Sequence, residues 1–304
     1  MERNFLDEIK HQYNTGGITV QLIFINVIVF LAIRIIDVFF GLITGTDGLF
    51  IDGYASHVVG LYTNISSFIT HPWGLFTSIF THFSFMHLLF NMVFLYFVGR
   101  IFLQFFDARR LVFTYILGGL AGGLLEVIAH SLFPKLQIFN DVVIGASGSI
   151  MALFVAIAFY RPQMKVNLFG IFPVRIILLA GLFILLDLLA LGKSDGTAHF
   201  AHLGGAIIGM ISIQNIASSG NIITVSQKLW YSFLSIFAKS PKNKMKVKKG
   251  GRSNTRIKTD EEYNEDSKAR QEQVDRILDK ISRSGYESLS KKEKDFLFNQ
   301  SKNG

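Results

Sequence analysis

Cysteine is absent from the 304 residues, which excludes disulfide bonds and thiolate metal sites. Cations are scarce in most of the chain. Of 30 Lys and Arg, only 12 fall within the first 238 residues, and none lies between residues 41 and 99. The other 18 crowd into the last 66 residues, so the pI of about 9.5 is a property of the tail. No aromatic-interleaved basic motif accompanies them, and no nucleic-acid partner is expected. No H-E-x-x-H string occurs, so the helical zinc-site signature is missing. No internal repeat of the kind that builds many transporters is found either.

What the chain has is apolar length. Half of its residues are hydrophobic and 30 are Phe, well outside the averages of soluble domains. Six candidate spans fall at about 18–40, 84–104, 110–132, 143–160, 171–192 and 199–217. Each approaches the roughly 20 residues needed to cross ~30 Å of hydrocarbon, with the fourth and sixth short. The segment Met1 to Gly17 is polar and carries no A-x-A cleavage site, so the first span reads as an uncleaved anchor. Arg100, Arg109 and Arg110 cluster between spans two and three, and Arg161, Lys165 and Arg175 between spans four and five. By the positive-inside rule both termini are cytoplasmic and the long 41–83 loop faces outward. The expected fold is all-α: a six-transmembrane-helix bundle with a small helical cytoplasmic tail.

Polar side chains interrupt these spans at four places: His82, His87 and Asn91; Gly145-Ala146-Ser147-Gly148; Asp187; and His199 with His202. Such groups are costly in hydrocarbon unless paired or wetted, and they mark functional sites. Spans two, four and six enter from the outer side. His87, Ser147 and His202 each sit about four residues in, or roughly 6 Å deep at 1.5 Å per residue. That places three reactive side chains in one shallow layer.

Each patch has its own chemistry. Small residues around Ser147, namely Gly145, Ala146 and Gly148, allow a substrate backbone to approach the hydroxyl and leave helix N-terminal N–H groups free to face an oxyanion. The same residues also suit close helix packing, and Ala152 continues their face. His202 precedes Gly205 and Gly209, a GxxxG face of closest helix contact. From there it can reach a serine on a neighbouring helix as general base, or simply bond a backbone carbonyl. His87 and Asn91, at i and i+4, share a helix face and offer donors suited to a developing oxyanion. Imidazoles of His87, His199 and His202 could also gather a metal, but no acid lies in span two, and no metal or cofactor is expected. Asp187 reads as a helix-end carboxylate at the interface, His199 as a structural histidine, and Glu126 with His130 as a structural pair four residues apart. Arg34 and Asp37 can pair and snorkel.

The string His82-Phe83-Ser84-Phe85-Met86-His87-Leu88-Leu89-Phe90-Asn91-Met92, followed by Gly145-Ala146-Ser147-Gly148 and Ala201-His202-Leu203-Gly204-Gly205 with Gly209, resembles the rhomboid intramembrane serine proteases. Ile25-Asn26-Val27-Ile28-Val29-Phe30 is also similar to that family. The resemblance spans about residues 18–217. It implies a Ser147–His202 dyad with no third carboxylate, and an oxyanion hole of His87, Asn91 and the Ser147 N–H. His82 would shape the outer loop. Two features depart from the family pattern. The aromatic–Arg pair of the outer loop appears as Trp73-Gly74, and Gly99 is followed by Arg100 rather than leading to an acidic residue.

Residues 218–260 read as a basic juxtamembrane linker that meets anionic lipid. Within 261–304, Val274, Ile277, Leu278 and Ile281 recur at helical spacing, Ser-Gly-Tyr at 284–286 breaks the helix, and Ser290 with Glu293 forms a capping-box pattern before a last short helix. This hairpin could dock an unidentified cytoplasmic partner. The expected protein is thus a multi-pass endopeptidase of a bacterial inner membrane that cleaves transmembrane protein substrates near the outer face. The competing functions are an inactive relative that binds transmembrane clients and a proton-coupled transporter relaying through His87, His199 and His202.

Overall fold

The computed structural model describes residues 4–46, 50–138, 142–168, 170–193, 195–237 and 259–301. The chain divides into two compact units, residues 1–239 and 240–304.

The first unit opens with α1 (Phe5–Thr15), which Asn4 caps through its side chain, and continues into α2 (Gly17–Thr44). The 50–80 region is folded. It holds a π-turn at Ile51–Ala55 and then α3 (Ser56–Val59), strand β1 (Leu61–Tyr62), α4 (Ile65–Thr70) and α5 (Gly74–Thr77). Helices α6 (Phe85–Phe102) and α7 (Ala108–Leu132) follow. Strand β2 (Val142–Val143) pairs antiparallel with β1, Leu61 opposite Val143, and delivers the chain into α8 (Ser147–Tyr160). A ribbon of β3 (Lys165–Leu168) and β4 (Phe172–Arg175) leads to α9 (Ile176–Ala190). Then come α10 (His199–Ser212) and α11 (Ile222–Phe237).

Three helices, α2, α6 and α7, are long and apolar enough to cross a membrane, and α8, α9 and α10 are shorter apolar helices. Their outward faces remain apolar: Ile28, Phe39 and Leu42 on α2, Phe90 and Phe97 on α6, and Leu182, Leu185 and Leu189 on α9 are exposed. A water-facing surface would not leave so much large apolar area uncovered. The protein is an all-α polytopic membrane protein.

Helix α8 is the centre of the bundle. Every residue from Gly148 to Ala158 is buried, as an all-apolar helix requires. Small residues let α10 lie directly on it. A Cβ added to Gly205 would fall 2.0 Å from Gly148 O, and one added to Gly209 would fall 2.5 Å from Ala152 O. Several polar side chains bond across or along the bundle. Asn26 Nδ2 donates to Leu22 O at 2.8 Å. Arg110 donates to Ser212 O and to Asn221 Oδ1, tying the start of α7 to the end of α10. Arg34 pairs with Asp37 at 3.6 Å and also donates to Phe83 O.

Residues 222–237, read from the sequence as the beginning of the linker, form helix α11 instead. Apolar residues Leu229, Trp230, Phe233 and Ile236 are interleaved with polar ones, so the helix is amphipathic, and its large side chains stay exposed. The remainder of the basic stretch, 238–258, lies outside the described residues.

The second unit is a helical hairpin of α12 (Asp260–Ser284) and α13 (Lys291–Ser301). Thr259 and Glu262 close a capping box on α12. Ser290 and Glu293 do the same for α13, with Ser290 N donating to Glu293 Oε2 at 2.6 Å. The Ser290 hydroxyl, and then Lys280 Nζ at 3.0 Å, hold the Glu293 carboxyl down to about 2. Ile277 and Leu289 are buried, while Leu278, expected on the apolar face, is half exposed.

Candidate active site

Ser147 is the first residue of α8, and its preceding residue, Ala146, offers no side-chain cap. The first-turn N–H groups of a helix have no intrahelical acceptor. Those of Ser147 and Gly148 find none elsewhere among the described residues. The turn before them is fixed from two sides. Gly145 N donates to Ser78 O at 2.9 Å, and Ala146 N donates to Nε2 of the fully buried His82 at 3.4 Å. Gly145 has φ +125°, a conformation that L side chains rarely adopt. A Cβ there would also lie 2.9 Å from the His87 ring and 4.0 Å from Ser147 Oγ. The glycine therefore keeps open the space between His87 and the serine.

His87, Asn91, Ser147, Gly148, His199 and His202 line one cavity of about 800 Å³. The layer inferred from residue counting is a single space. Asn91 Nδ2 donates one hydrogen to His87 O at 2.9 Å, and an amide nitrogen has a second to offer. Gly145, Gly148 and Gly205 sit where close approach is needed, the last two at the α8–α10 contact. Among the described residues no hydrogen bond joins Ser147 Oγ to His202. Hydrogen bonds of this kind are often long before substrate binds.

Asp187 departs from the sequence reading. It is not at an interface but buried, 7% exposed, and its Oδ1 accepts from His202 Nδ1 at 2.9 Å and from His199 Nδ1 at 2.7 Å. His199 Nε2 in turn lies 3.1 Å from Asp195 Oδ2. The signal was a single acid inside Ile-Leu-Leu-Asp-Leu-Leu-Ala, at the depth of the other polar patches. Asp187, His199 and His202 also bring three potential metal-ligand atoms within 4.8 Å of one another. A ring nitrogen that donates to the carboxylate has no lone pair left for a metal.

Glu126 and His130 pair as expected, at 3.3 Å. Glu126 does more than that, because its Oε2 accepts from Ala201 N at 2.9 Å and so caps the first turn of α10 one residue before His202. Around Trp73-Gly74, Trp73 Nε1 donates to Val58 O at 2.8 Å, and a Cβ on Gly74 would meet Gly60 O at 2.2 Å. Gly99 similarly packs against the Thr19 side chain.

A second opening, of about 480 Å³, runs between α6 and α9. It is lined by Phe94, Met151, Phe183 and Leu186 and reaches Ser147, Asp187 and His202. The serine is therefore accessible from both cavities.

Residues 69–217 match the Rhomboid domain family, and residues 258–303 match a family of unknown function, DUF6576. Comparison with curated proteins gives no match. The rhomboid match covers α5 to α10, including the serine, both site histidines and Asn91, and the chain belongs to the rhomboid family.

Proposed function

We propose that the protein is an intramembrane serine endopeptidase that hydrolyses a peptide bond in or near the outer end of a single-span membrane protein. The observation that carries this reading is the convergence of Ser147, His202, His87 and Asn91 on one cavity, beside uncommitted N–H groups at the start of α8. Ser147 Oγ attacks the scissile carbonyl while His202 takes its proton. The oxyanion that forms is met by the Ser147 N–H with His87 and Asn91. His202 returns the proton to the leaving amine, which departs and leaves an acyl-enzyme on Ser147. Water, deprotonated by His202, then attacks the ester and restores the hydroxyl. The substrate helix must unwind first, because a helical amide is shielded by its own hydrogen bonds.

The membrane would be a bacterial inner membrane with both termini cytoplasmic, since Lys and Arg concentrate on that side. Anionic lipid would meet the basic 239–258 stretch, and the helical hairpin would be free to take a cytoplasmic partner. Purified protein in liposomes with a single-span reporter tests the reading. Cleavage products should appear, and mass spectrometry should place the cut near the outer end of the reporter's span. A reporter that stays intact would refute it.

Asn91→Ala tests the oxyanion role. Removing one such donor costs about 10²–10³ in kcat, and KM should stay near the wild-type value. Steady-state kinetics on the same reporter read both parameters. A change confined to KM would reassign Asn91 to substrate binding.

A further inference from the structure

We propose that Asp187 is a positioning residue that locks His202 in the Nδ1–H tautomer, so that this chain operates a Ser147–His202–Asp187 triad. The proposal rests on the protease reading above and departs from the dyad without a third carboxylate that the family resemblance implies.

The geometry begins at α9. Asp187 lies in its last turn, where a negative charge opposes the helix dipole. It is also buried, at the edge of an opening whose other lining includes Phe183, Leu186 and Leu189, and a buried carboxylate without a partner is strongly disfavoured. Helix stability therefore gives no reason for an acid at this position. Its compensation is the pair of imidazoles from α10: Oδ1 accepts from His202 Nδ1 at 2.9 Å and from His199 Nδ1 at 2.7 Å. An ionised carboxylate only accepts, so a hydrogen must sit on His202 Nδ1. A neutral imidazole protonated at Nδ1 has its lone pair at Nε2, the nitrogen left for the serine proton. The opposite tautomer would present an N–H to Ser147 and could not act as base.

His199 completes the support. It grips the same carboxylate oxygen and is itself tethered to Asp195 Oδ2 at 3.1 Å. The carboxylate is thus fixed from two sides rather than free to swing. Glu126 holds the neighbouring turn of α10 through Ala201 N, and His87 faces the site across the cavity. Of these groups, only Asp187 meets the His202 ring nitrogen.

Two measurements test the role. In wild-type protein labelled with ¹⁵N-histidine and embedded in lipid at mildly alkaline pH, His202 should show a protonated Nδ1 and a bare Nε2. A protonated Nε2 with a bare Nδ1 would overturn the proposal, and this readout needs no variant to fold. In the liposome assay, Asp187→Asn preserves side-chain size but its amide can donate to Nδ1 and stabilise the wrong tautomer. It should lower kcat by about 10²–10⁴-fold with little change in KM, and Asp187→Glu should recover at least about tenfold of that loss. A merely structural Asp187 would reduce the amount and thermal stability of folded protein while leaving kcat per folded molecule intact. Wild-type kcat in Asp187→Asn, alongside an inactive Ser147→Ala, would overturn the triad and leave the protease reading standing. Absence of Ser147-dependent cleavage in the wild type would overturn both.

Discussion

Ser147→Ala and His202→Ala are each expected to reduce cleavage of a transmembrane reporter by about 10⁴-fold or more, with the protein still folded. The serine hydroxyl and the imidazole act in one proton transfer, so removing either removes the nucleophile as an activated species. The double variant should then be little worse than either single one, because groups that act as a unit are not additive. Neither side chain is a packing keystone. Ser147 and His202 both line the cavity and neither belongs to the buried core around Leu153, Val155 and Ile157. Thermal unfolding in detergent should therefore place Ser147→Ala close to wild type, and His202→Ala below it because that variant leaves Asp187 with His199 alone; activity per folded molecule assigns the loss to chemistry in both. Substantial cleavage by either purified variant would remove that residue from the mechanism.

Gly205→Val should have the second large effect, this time on folding. A Cβ at position 205 would fall 2.0 Å from Gly148 O and 2.8 Å from Gly148 C. Both are backbone atoms of the helix that carries Ser147, so no side chain can swing aside. Overpacking usually costs about 1–3 kcal/mol, and a branched side chain driven against backbone should exceed that range. The helices carrying the serine and the histidine would be forced apart, so activity should vanish together with the folded state. Gly181→Ala is the matched control. Nothing lies within 4 Å of a Cβ there, and replacing an exposed helical Gly by Ala gains up to about 1 kcal/mol. Thermal unfolding of the three proteins in one detergent decides the matter. A Gly205→Val protein with a wild-type Tm would contradict the packing described for α8 and α10.

Much of this arrangement was legible in the residues. Apolar length marked the helices to within a few residues for α2, α6 and α7, because continuous hydrocarbon-crossing runs leave little freedom in where they begin and end. Helices α8 and α9 begin at Ser147 and Ile176, later than the apolar runs that start near residues 143 and 171. Val142-Val143 is a strand paired to β1, and Phe172–Arg175 is a strand paired to β3. Short apolar runs of β-branched residues do not declare whether they are helix or strand. The architecture of residues 50–80 was not legible, since its turns are set by contacts such as Trp73 to Val58 and Gly74 to Gly60 that no local pattern encodes. Helix α11 was hidden by the basic stretch that follows it.

The candidate site divides in the same way. Ser147, His202, His87 and Asn91 could be placed in one layer from topology and counting, because depth along a helix is fixed by a constant rise. The bond between Asp187 and His202 could not. It depends on how α9 is rotated against α10, and α9 is apolar on nearly every side, so no hydrophobic pattern fixes that rotation. The same limit applies to Glu126, whose pairing with His130 follows from spacing but whose bond to Ala201 N follows only from the crossing of α7 and α10.

The most direct test of a nucleophilic serine in this membrane bundle is fluorophosphonate labelling of the purified protein, followed by intact-mass and peptide mapping. Displacement of fluoride by Ser147 Oγ, with loss of HF, should add one phosphonyl group that maps to the peptide containing Gly145-Ala146-Ser147-Gly148, and labelling should disappear in Ser147→Ala and fall sharply in His202→Ala. Unlabelled wild-type protein, or a label that persists in Ser147→Ala, would contradict the account.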